Sequence, residues 1–358
     1  MEPLPLFNRS QPASDFPRLD LQSPSVVALE QKLSDSTRLR VQNVPRPPAR
    51  EIDFCQMKST KIALLFSGGL DCTMLARLAH ELLPVDEAID LLNVAFENPR
   101  VVGAAKHTST IGPTNIENPD PYGQCPDRIT GIASHSELQQ ICPGRTWRFV
   151  SINIPYTETL QHRSQVISLM QPHNTEMDLS ISYALYFAAR GRGTVYNLDT
   201  NTTQQYTTPA RVLLSGLGAD ELFGGYTRHA TAFSRHGFVG LIDELELDIR
   251  RLGRRNLGRD DRVISHWGKE VRYPYLDESL LSCALACPVW EKCGFGQDAL
   301  DIESSGEPRL EPGKKVLRLL AWKMGMKRVA TEKKRAIQFG ARTAKMEAGK
   351  IKGTQLLS

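Results

Sequence analysis

The stretch Lys61-Ile-Ala-Leu-Leu-Phe-Ser-Gly-Gly-Leu-Asp71-Cys-Thr73 restricts what this chain can fold into more than any other. An apolar run of strand character stops at Ser67-Gly68-Gly69, and a run beginning Met74-Leu75-Ala76-Arg77-Leu78-Ala79 follows with helical spacing. Adjacent glycines let the backbone turn tightly and bring its N–H groups close to an anion. Ser67 and Thr73 add hydroxyl donors, and the helix that follows points its positive end at the same spot. Asp71 alone would repel a phosphate. It suits a Mg²⁺ ion that accompanies a nucleotide, because Mg²⁺ takes carboxylate and phosphate oxygens together. A capped strand-to-helix turn would share this outline, but the apolar strand before it and the helix after it are the context an anion-binding loop requires. No Gly-Lys-Ser/Thr follows, so the loop is not a Walker A sequence.

The remainder extends the same pattern. Ala88–Phe96 reads as a second strand, giving a β-α-β unit and hence a parallel sheet. Trp147–Ile154 reads as a third strand, and Arg211–Leu214 as another that ends in a glycine turn. Helices are expected at Ser25–Val41, Thr157–Met170, Ser180–Ala189, Leu241–Leu252, Ser279–Ala286, Lys315–Met324 and Ile337–Met346. Residues 97–146 read as irregular around a short helix at Ser134–Gln140. Val195–Leu198 reads as a short strand and Asp199–Thr208 as a loop. The fold expected is α/β, a doubly wound parallel sheet with a helical C-terminal extension. Residues 1–50, rich in Pro, Ser and Asp at the start, are expected to form a mobile tail with one helix. Residues 51–350 would form one domain.

Composition excludes several classes. Of 358 residues, 41% are hydrophobic and 23% charged, as in a globular protein. The net charge of +4 is small and the basic residues are dispersed, which excludes a dedicated nucleic-acid surface. No apolar run reaches membrane-spanning length, and Met1-Glu2-Pro3-Leu4-Pro5 lacks the features of a secretory signal. The seven cysteines are an odd number, and their scatter implies reduced thiols and a cytoplasmic setting. Cys283, Cys287 and Cys293 lack the further ligands of a zinc set and read as small apolar side chains.

Leu213-Leu214-Ser215-Gly216-Leu217-Gly218-Ala219-Asp220-Glu221-Leu222-Phe223-Gly224-Gly225-Tyr226 repeats the logic of the first loop: buried strand, glycine turn, acidic pair, helix. Ligands collect beyond the carboxyl ends of parallel strands. Two such turns could face one nucleotide, with Asp71 and Asp220 on the same Mg²⁺.

The first loop resembles the SGGxDS signature of ATP pyrophosphatases (the adenine nucleotide alpha hydrolase-like, or PP-loop, type). Together with Gly218–Tyr226, Arg272-Tyr273-Pro274-Tyr275-Leu276-Asp277 and Lys314-Lys315-Val316-Leu317-Arg318, it resembles the four ordered motifs of the asparagine synthetase C-terminal domain. The likeness runs from about Lys61 to about Glu347. Pro126–Gly131, Arg255–Arg262 and Ala336–Gly340 resemble one branch of that family. The resemblance implies a ligase that adenylates the side-chain carboxylate of aspartate with ATP and Mg²⁺, releases pyrophosphate, and lets ammonia displace AMP. It implies that Ser67, Gly68, Gly69, Leu70, Asp71, Cys72 and Thr73 hold the pyrophosphate. Ser215 and Gly216 would line the nucleotide pocket, Val94 would contact the adenine, Asp71 and Asp220 would hold the metal, and Lys314 would be the catalytic lysine. Arg272 and Asp277 are read as an internal ion pair.

The chain departs from that pattern in three places. Family synthetases begin with a glutaminase domain whose nucleophile is a cysteine directly after Met1; this sequence has Glu2. The expectation is a chain without a glutaminase domain, supplied with free ammonia or served by another subunit, or else a truncated form of a longer protein. Leu217 stands where the family carries a glutamate for the amide-forming step, and loss of such a group costs on the order of 10²–10⁴ in rate. Cys72 stands where the first loop usually has serine. The alternative expectation is therefore a pseudoenzyme that keeps nucleotide binding and serves as an interaction module.

Overall fold

The computed structural model describes residues 4–47, 60–101, 120–197, 200–297, 309–344, 346 and 353–357. The first half builds most of the sheet and its covering helices. In order these are α1 (Pro24–Val41), β1 (Thr60–Leu65), α2 (Leu70–Leu82), β2 (Ala88–Phe96), α3 (Pro126–Ile141) and β3 (Trp147–Ile154). Then come α4 (Tyr156–Gln161), α5 (Arg163–Met170), α6 (Glu176–Arg190), β4 (Arg192–Asn197), β5 (Thr202–Thr207) and β6 (Val212–Leu214). The second half is helical apart from one short strand: α7 (Ala219–Phe223), α8 (Thr227–Leu252), α9 (Gly258–Ser265) and β7 (Glu270–Arg272). It closes with α10 (Glu278–Ala286), α11 (Lys315–Lys323), α12 (Lys327–Thr331) and α13 (Ile337–Gly340).

One seven-stranded sheet runs in the order β5-β4-β3-β2-β1-β6-β7. Strands β3, β2, β1, β6 and β7 are parallel, and β4 and β5 continue the sheet antiparallel beyond β3. The chain moves outward from β1 through β2 to β3, then returns to place β6 on the other side of β1. The loops leaving β1 and β6 therefore diverge and open a crevice between them, the usual ligand position in such sheets.

The apolar runs of the sequence are continuous because both sheet faces are covered. Ile62 and Leu64 of β1 join one core with Leu29 and Leu33 of α1, Leu75 and Leu78 of α2, and Leu320 of α11. Ala63, one residue out of phase, joins the opposite core with Leu92 and Val94 of β2, Phe187 of α6 and Ile264 of α9. A smaller cluster under α8 and α10 contains Leu241, Leu245 and Leu285, together with Phe7.

Several elements differ from the sequence reading. The supposed loop Asp199–Thr208 contains β5, paired with β4 from Arg192↔Thr207 to Asn197↔Thr202. Its anchor is Tyr206, whose hydroxyl donates to Asp90 Oδ2 at 2.7 Å, while Arg148 Nη1 lies 2.7 Å from Tyr206 Oη, Asp90 Oδ1 and Thr60 Oγ1. One buried polar network thus fastens the edge hairpin to β1, β2 and β3. The short helix expected at Ser134–Gln140 begins at Pro126, where proline at the first turn costs no hydrogen bond. The single helix expected at Thr157–Met170 is split at His162 into α4 and α5. The helix expected from Leu241 starts at Thr227 and kinks at His236-Gly237. The N-terminal stretch read as a mobile tail is packed where described: Phe7 and Leu19 are buried, Asn8 N donates to Leu285 O at 2.8 Å, and Arg9 pairs with Asp243 and Glu246. Phe7 and Leu19 find a core, while Leu4 and Leu6 stay exposed. The expected domain start at residue 51 lies outside the described residues, as does the end of the likeness at Glu347. Among the described residues no helix is long and apolar enough to cross a membrane.

Asp90 is fully buried, and removing it leaves the Arg148 guanidinium without its carboxylate. Asp90→Ala is expected to cost about 3–5 kcal/mol, read from urea denaturation. An unchanged midpoint would show that the network does not hold the sheet edge.

Candidate active site

The first glycine turn is held from three directions. Gly68 has φ +81°, and a Cβ there would lie 2.5 Å from the backbone N and Cα of Gly131, while a Cβ on Gly131 would lie 2.6 Å from Asn93 Nδ2. Ser134 Oγ donates to Gly68 O at 2.6 Å. Asn93 Nδ2 donates to Phe66 O and to Asp127 O, both at 2.9 Å, while Asn93 Oδ1 accepts from Arg128 Nε at 2.6 Å. The turn that ends β1 is thereby fixed by β2 and by the start of α3. The turn after β6 lies directly alongside: a Cβ on Gly216 would come within 2.8 Å of Asp71 Cβ.

Lys314 closes the crevice. It precedes α11 in the left-handed backbone region (φ +58°, ψ +32°), an arrangement uncommon for a residue with a side chain and concentrated at functional sites. Its N–H donates to Phe223 O at 2.7 Å. Its ammonium, with the residue only 2% exposed, donates to Asp71 Oδ1 and Oδ2 at 2.8 and 2.9 Å and lies 2.7 Å from Asp220 Oδ1. Lys334 pairs with the other oxygen of Asp220. Gly225 makes this approach possible, since a Cβ there would stand 1.9 Å from Asp220 Oδ1 and 2.8 Å from Lys314 Cε. Burial alone would raise the Asp220 carboxyl, but Lys314 and Lys334 outweigh it and hold the group well below the usual carboxylate range. Burial alone would lower Lys314, yet Asp220 and Asp71 hold its ammonium above the ordinary lysine value.

These residues fit a divalent cation that arrives with a nucleotide. The two carboxylates converge on one point, and the buried Asp220 Oδ1 has charge contact with Lys314 but no hydrogen bond of acceptable geometry. Among the described residues no three acidic, His or Cys side chains form a complete metal cage. Phosphate oxygens would have to supply further ligands, as is usual for Mg²⁺.

A cavity of about 380 Å³ opens beside this cluster, within the range of small-molecule sites. Ser67, Gly69, Asp71, Cys72, Val94, Ser215, Gly216 and Asp220 line it, as the sequence anticipates. Other expected contacts are placed differently. Thr73 is fully buried with its hydroxyl given to Gly69 O at 2.8 Å, so it offers the cavity no donor. Leu70 packs into the core and Gly68 faces Gly131, so what each could offer an anion is its backbone. Arg272 and Asp277 do not pair with each other: Arg272 Nε meets Glu270 at 2.7 Å, while Asp277 meets Arg40 at 2.8 Å and caps α10. Alternation along β7 and the capping position before α10 explain both.

Leu217 lines the cavity where an acid was looked for. Glu221 also lines it, buried, accepting from Tyr226 Oη at 2.6 Å and from Asn256 Nδ2 at 3.3 Å. Burial, and then the charge of Asp220, push its carboxyl up to about 7. Sequence reasoning gave no role to Lys334, Arg335 or Asp127, which face the cavity from the segment before α13 and the first turn of α3. The one available signal was the likeness of Pro126–Gly131 and Ala336–Gly340 to a family branch, which marked the segments without assigning roles.

Fold and site together define a mostly parallel α/β domain with a carboxylate–lysine cluster at the point where the strand order reverses. A family profile described as Asparagine synthase matches residues 203–243 and 240–353. The chain is 40% identical over 316 residues to Asparagine synthetase domain-containing protein 1 of Mus musculus, covering 84% of this chain and 48% of that protein. The Homo sapiens protein of the same name is 37% identical over 337 residues, covering 88% of this chain and 50% of that protein. A Putative asparagine synthetase [glutamine-hydrolyzing] 1 of Methanocaldococcus jannaschii is 35% identical over 153 residues, covering 38% of this chain and 28% of that one. The chain belongs to the asparagine synthase family, and it spans about half the length of the relatives it matches over most of its residues.

Asp127 supplies a test of these surroundings. Burial pushes its carboxyl from an ordinary 3.8 up to about 7, against the opposing charges of Arg335 and Lys334. Its folded-state value lies above the unfolded one, so its contribution to stability is present below 3.8 and is lost as pH rises through about 7. Asp127→Asn, which cannot ionise, is therefore expected to lose less stability than wild type between about pH 5 and about pH 8. Urea midpoints at the two pH values measure this; equal losses would mean that the carboxyl is solvated.

Proposed function

We propose that this domain activates the side-chain carboxylate of aspartate as an adenylate and passes the acyl group to ammonia, giving asparagine, AMP and pyrophosphate. The observation that supports this most is the convergence of Asp71 and Asp220, from loops far apart in sequence, on the ammonium of Lys314.

The reaction requires activation because a carboxylate repels nucleophiles and has no leaving group. In this reading the backbone N–H groups at the start of α2 hold the departing pyrophosphate, where the helix dipole adds to their attraction. Lys314 neutralises charge that grows on the α-phosphate and the leaving group as the carboxylate attacks. Bound Mg²⁺, held by Asp71 and Asp220, would withdraw charge from the phosphate oxygens. The apolar wall of Val94 and Leu92 receives the adenine. Ammonia then attacks the acyl carbon, and the adenylate leaves as AMP.

A second reading rests on Leu217. A leucine on the cavity wall takes no proton from the attacking amine, so a domain that binds nucleotide without forming amide is the alternative.

Pyrophosphate release from MgATP, followed with and without aspartate, separates the two: aspartate-dependent release is expected, and tight ATP binding with no release in any carboxylate would favour the module. Lys314→Met is expected to lower adenylation by about 10²–10³. Asp220→Ala is expected to abolish Mg²⁺-dependent ATP binding in equilibrium titrations; unaltered binding would remove it from the site. Leu217→Glu should raise asparagine formation relative to pyrophosphate release.

A further inference from the structure

Seven carboxyl side chains line the cavity, and six of them have cationic or hydrogen-bonding partners in the protein. Asp71 and Asp220 share Lys314. Asp178 and Asp260 hold Arg259, Asp248 holds Arg228, and Glu221 accepts from Tyr226. The seventh is Asp127, which feels the charges of Arg335 and Lys334 without a hydrogen bond from either. The residue is 6% exposed, and among the described residues no donor reaches its carboxyl oxygens. Its backbone carbonyl accepts from Asn93. A carboxyl removed from water without a partner is costly, and such groups in native cavities call for a functional reason.

Its position narrows what that reason is. The bond from Asn93 to Asp127 O keeps the first turn of α3 against the end of β2, where Asn93 adjoins Val94. Leu65, Phe66, Leu92 and Val94 give this part of the cavity an apolar floor suited to a flat ring, and Ala184 and Ala188 of α6 line the same space. Asn93 cannot read such a ring, since both its amide hydrogens and its oxygen are already engaged. On the other flank, Gly340 makes room for the carboxyl: a Cβ there would stand 1.9 Å from Asp127 Oδ1.

We propose that Asp127 is the residue that selects the base of the nucleotide, its carboxyl accepting a hydrogen bond from the exocyclic amino group of adenine. This rests on the nucleotide-site reading above, which seats the base over Val94. Adenine presents an amino donor beside a ring-nitrogen acceptor. An ionised carboxyl accepts from the amino group, and a protonated one accepts from it while donating to the ring nitrogen. The elevated value given to this carboxyl by burial makes both forms available near neutrality. A base with a 6-oxo group replaces the amino donor by an acceptor but carries a donor at N1 that the carboxyl can take, whereas purine without a 6-substituent offers this edge no donor at all.

The test is equilibrium titration of the full chain with the Mg²⁺ complexes of ATP, inosine triphosphate and purine riboside triphosphate, the last lacking any 6-substituent. Wild type is expected to bind ATP about tenfold to a hundredfold more tightly than purine riboside triphosphate, the range of one hydrogen bond to a charged group, with inosine triphosphate between them. Asp127→Ala should lose that preference by weakening ATP while leaving purine riboside triphosphate unchanged. Asp127→Asn, whose amide retains an acceptor and a donor, should keep most of it, as asparagine does when it pairs with adenine elsewhere. Thermal melts of each variant establish that it is folded, and the ligand series on wild type requires no variant. Equal affinity of wild type for all three nucleotides would overturn the proposal. So would undiminished discrimination by Asp127→Ala, or an effect of that variant confined to the KM for aspartate or ammonia. Failure to bind any triphosphate would sink the nucleotide reading as well, whereas ATP binding with selectivity independent of Asp127 would sink this inference alone.

Discussion

The ammonium of Lys314, held between Asp71 and Asp220, is the contact on which the arrangement of the site depends. It joins the loop after β1, the loop after β6 and the start of α11, three pieces with no reason in their local sequence to meet. Opposite charges buried this deeply are strongly coupled, and removing one strands the others. The supporting parts are each shaped around that contact. Gly225 yields the space, the left-handed backbone of Lys314 aims the side chain, and Tyr275 Oη donates to Asp71 O at 3.1 Å from beneath.

The parts of this design that repeat at short range were legible in the sequence. Ala88–Phe96 and Trp147–Ile154 were bounded correctly because uninterrupted apolar or alternating runs announce buried strands. The two glycine turns were visible because no other residue type permits them. What escaped notice depended on distant partners. β5 is a string of threonines and glutamines that looks like loop until Tyr206 is seen reaching Arg148 and Asp90 across the sheet. Thr73 resembles a phosphate donor until its hydroxyl is found bonded to Gly69, four residues earlier. Asp277 was read with Arg272 because they are neighbours in sequence, whereas α1 brings Arg40 to it from the far end of the chain.

The cavity also shows how charge is balanced within one site. Arg228, Arg259, Lys314 and Lys334 all face acidic partners, so the protein holds its cations in position without leaving them bare. Such pre-arranged charge needs little reorganisation when substrate charge appears. Leu217 is the exception in this polar setting. It places an apolar side chain beside the acids.

The facing pair Gly68 and Gly131 has a consequence for how such a protein can vary over evolutionary time. A side chain at Gly68 would meet only backbone, which has nothing to shrink in compensation, whereas one at Gly131 would meet the side chains of Asn93 and Phe149. Lineages that keep this loop are therefore bound to retain a glycine at position 68, while position 131, in a helix that carries no obvious signature of its own, is free to change only in step with Asn93 or Phe149.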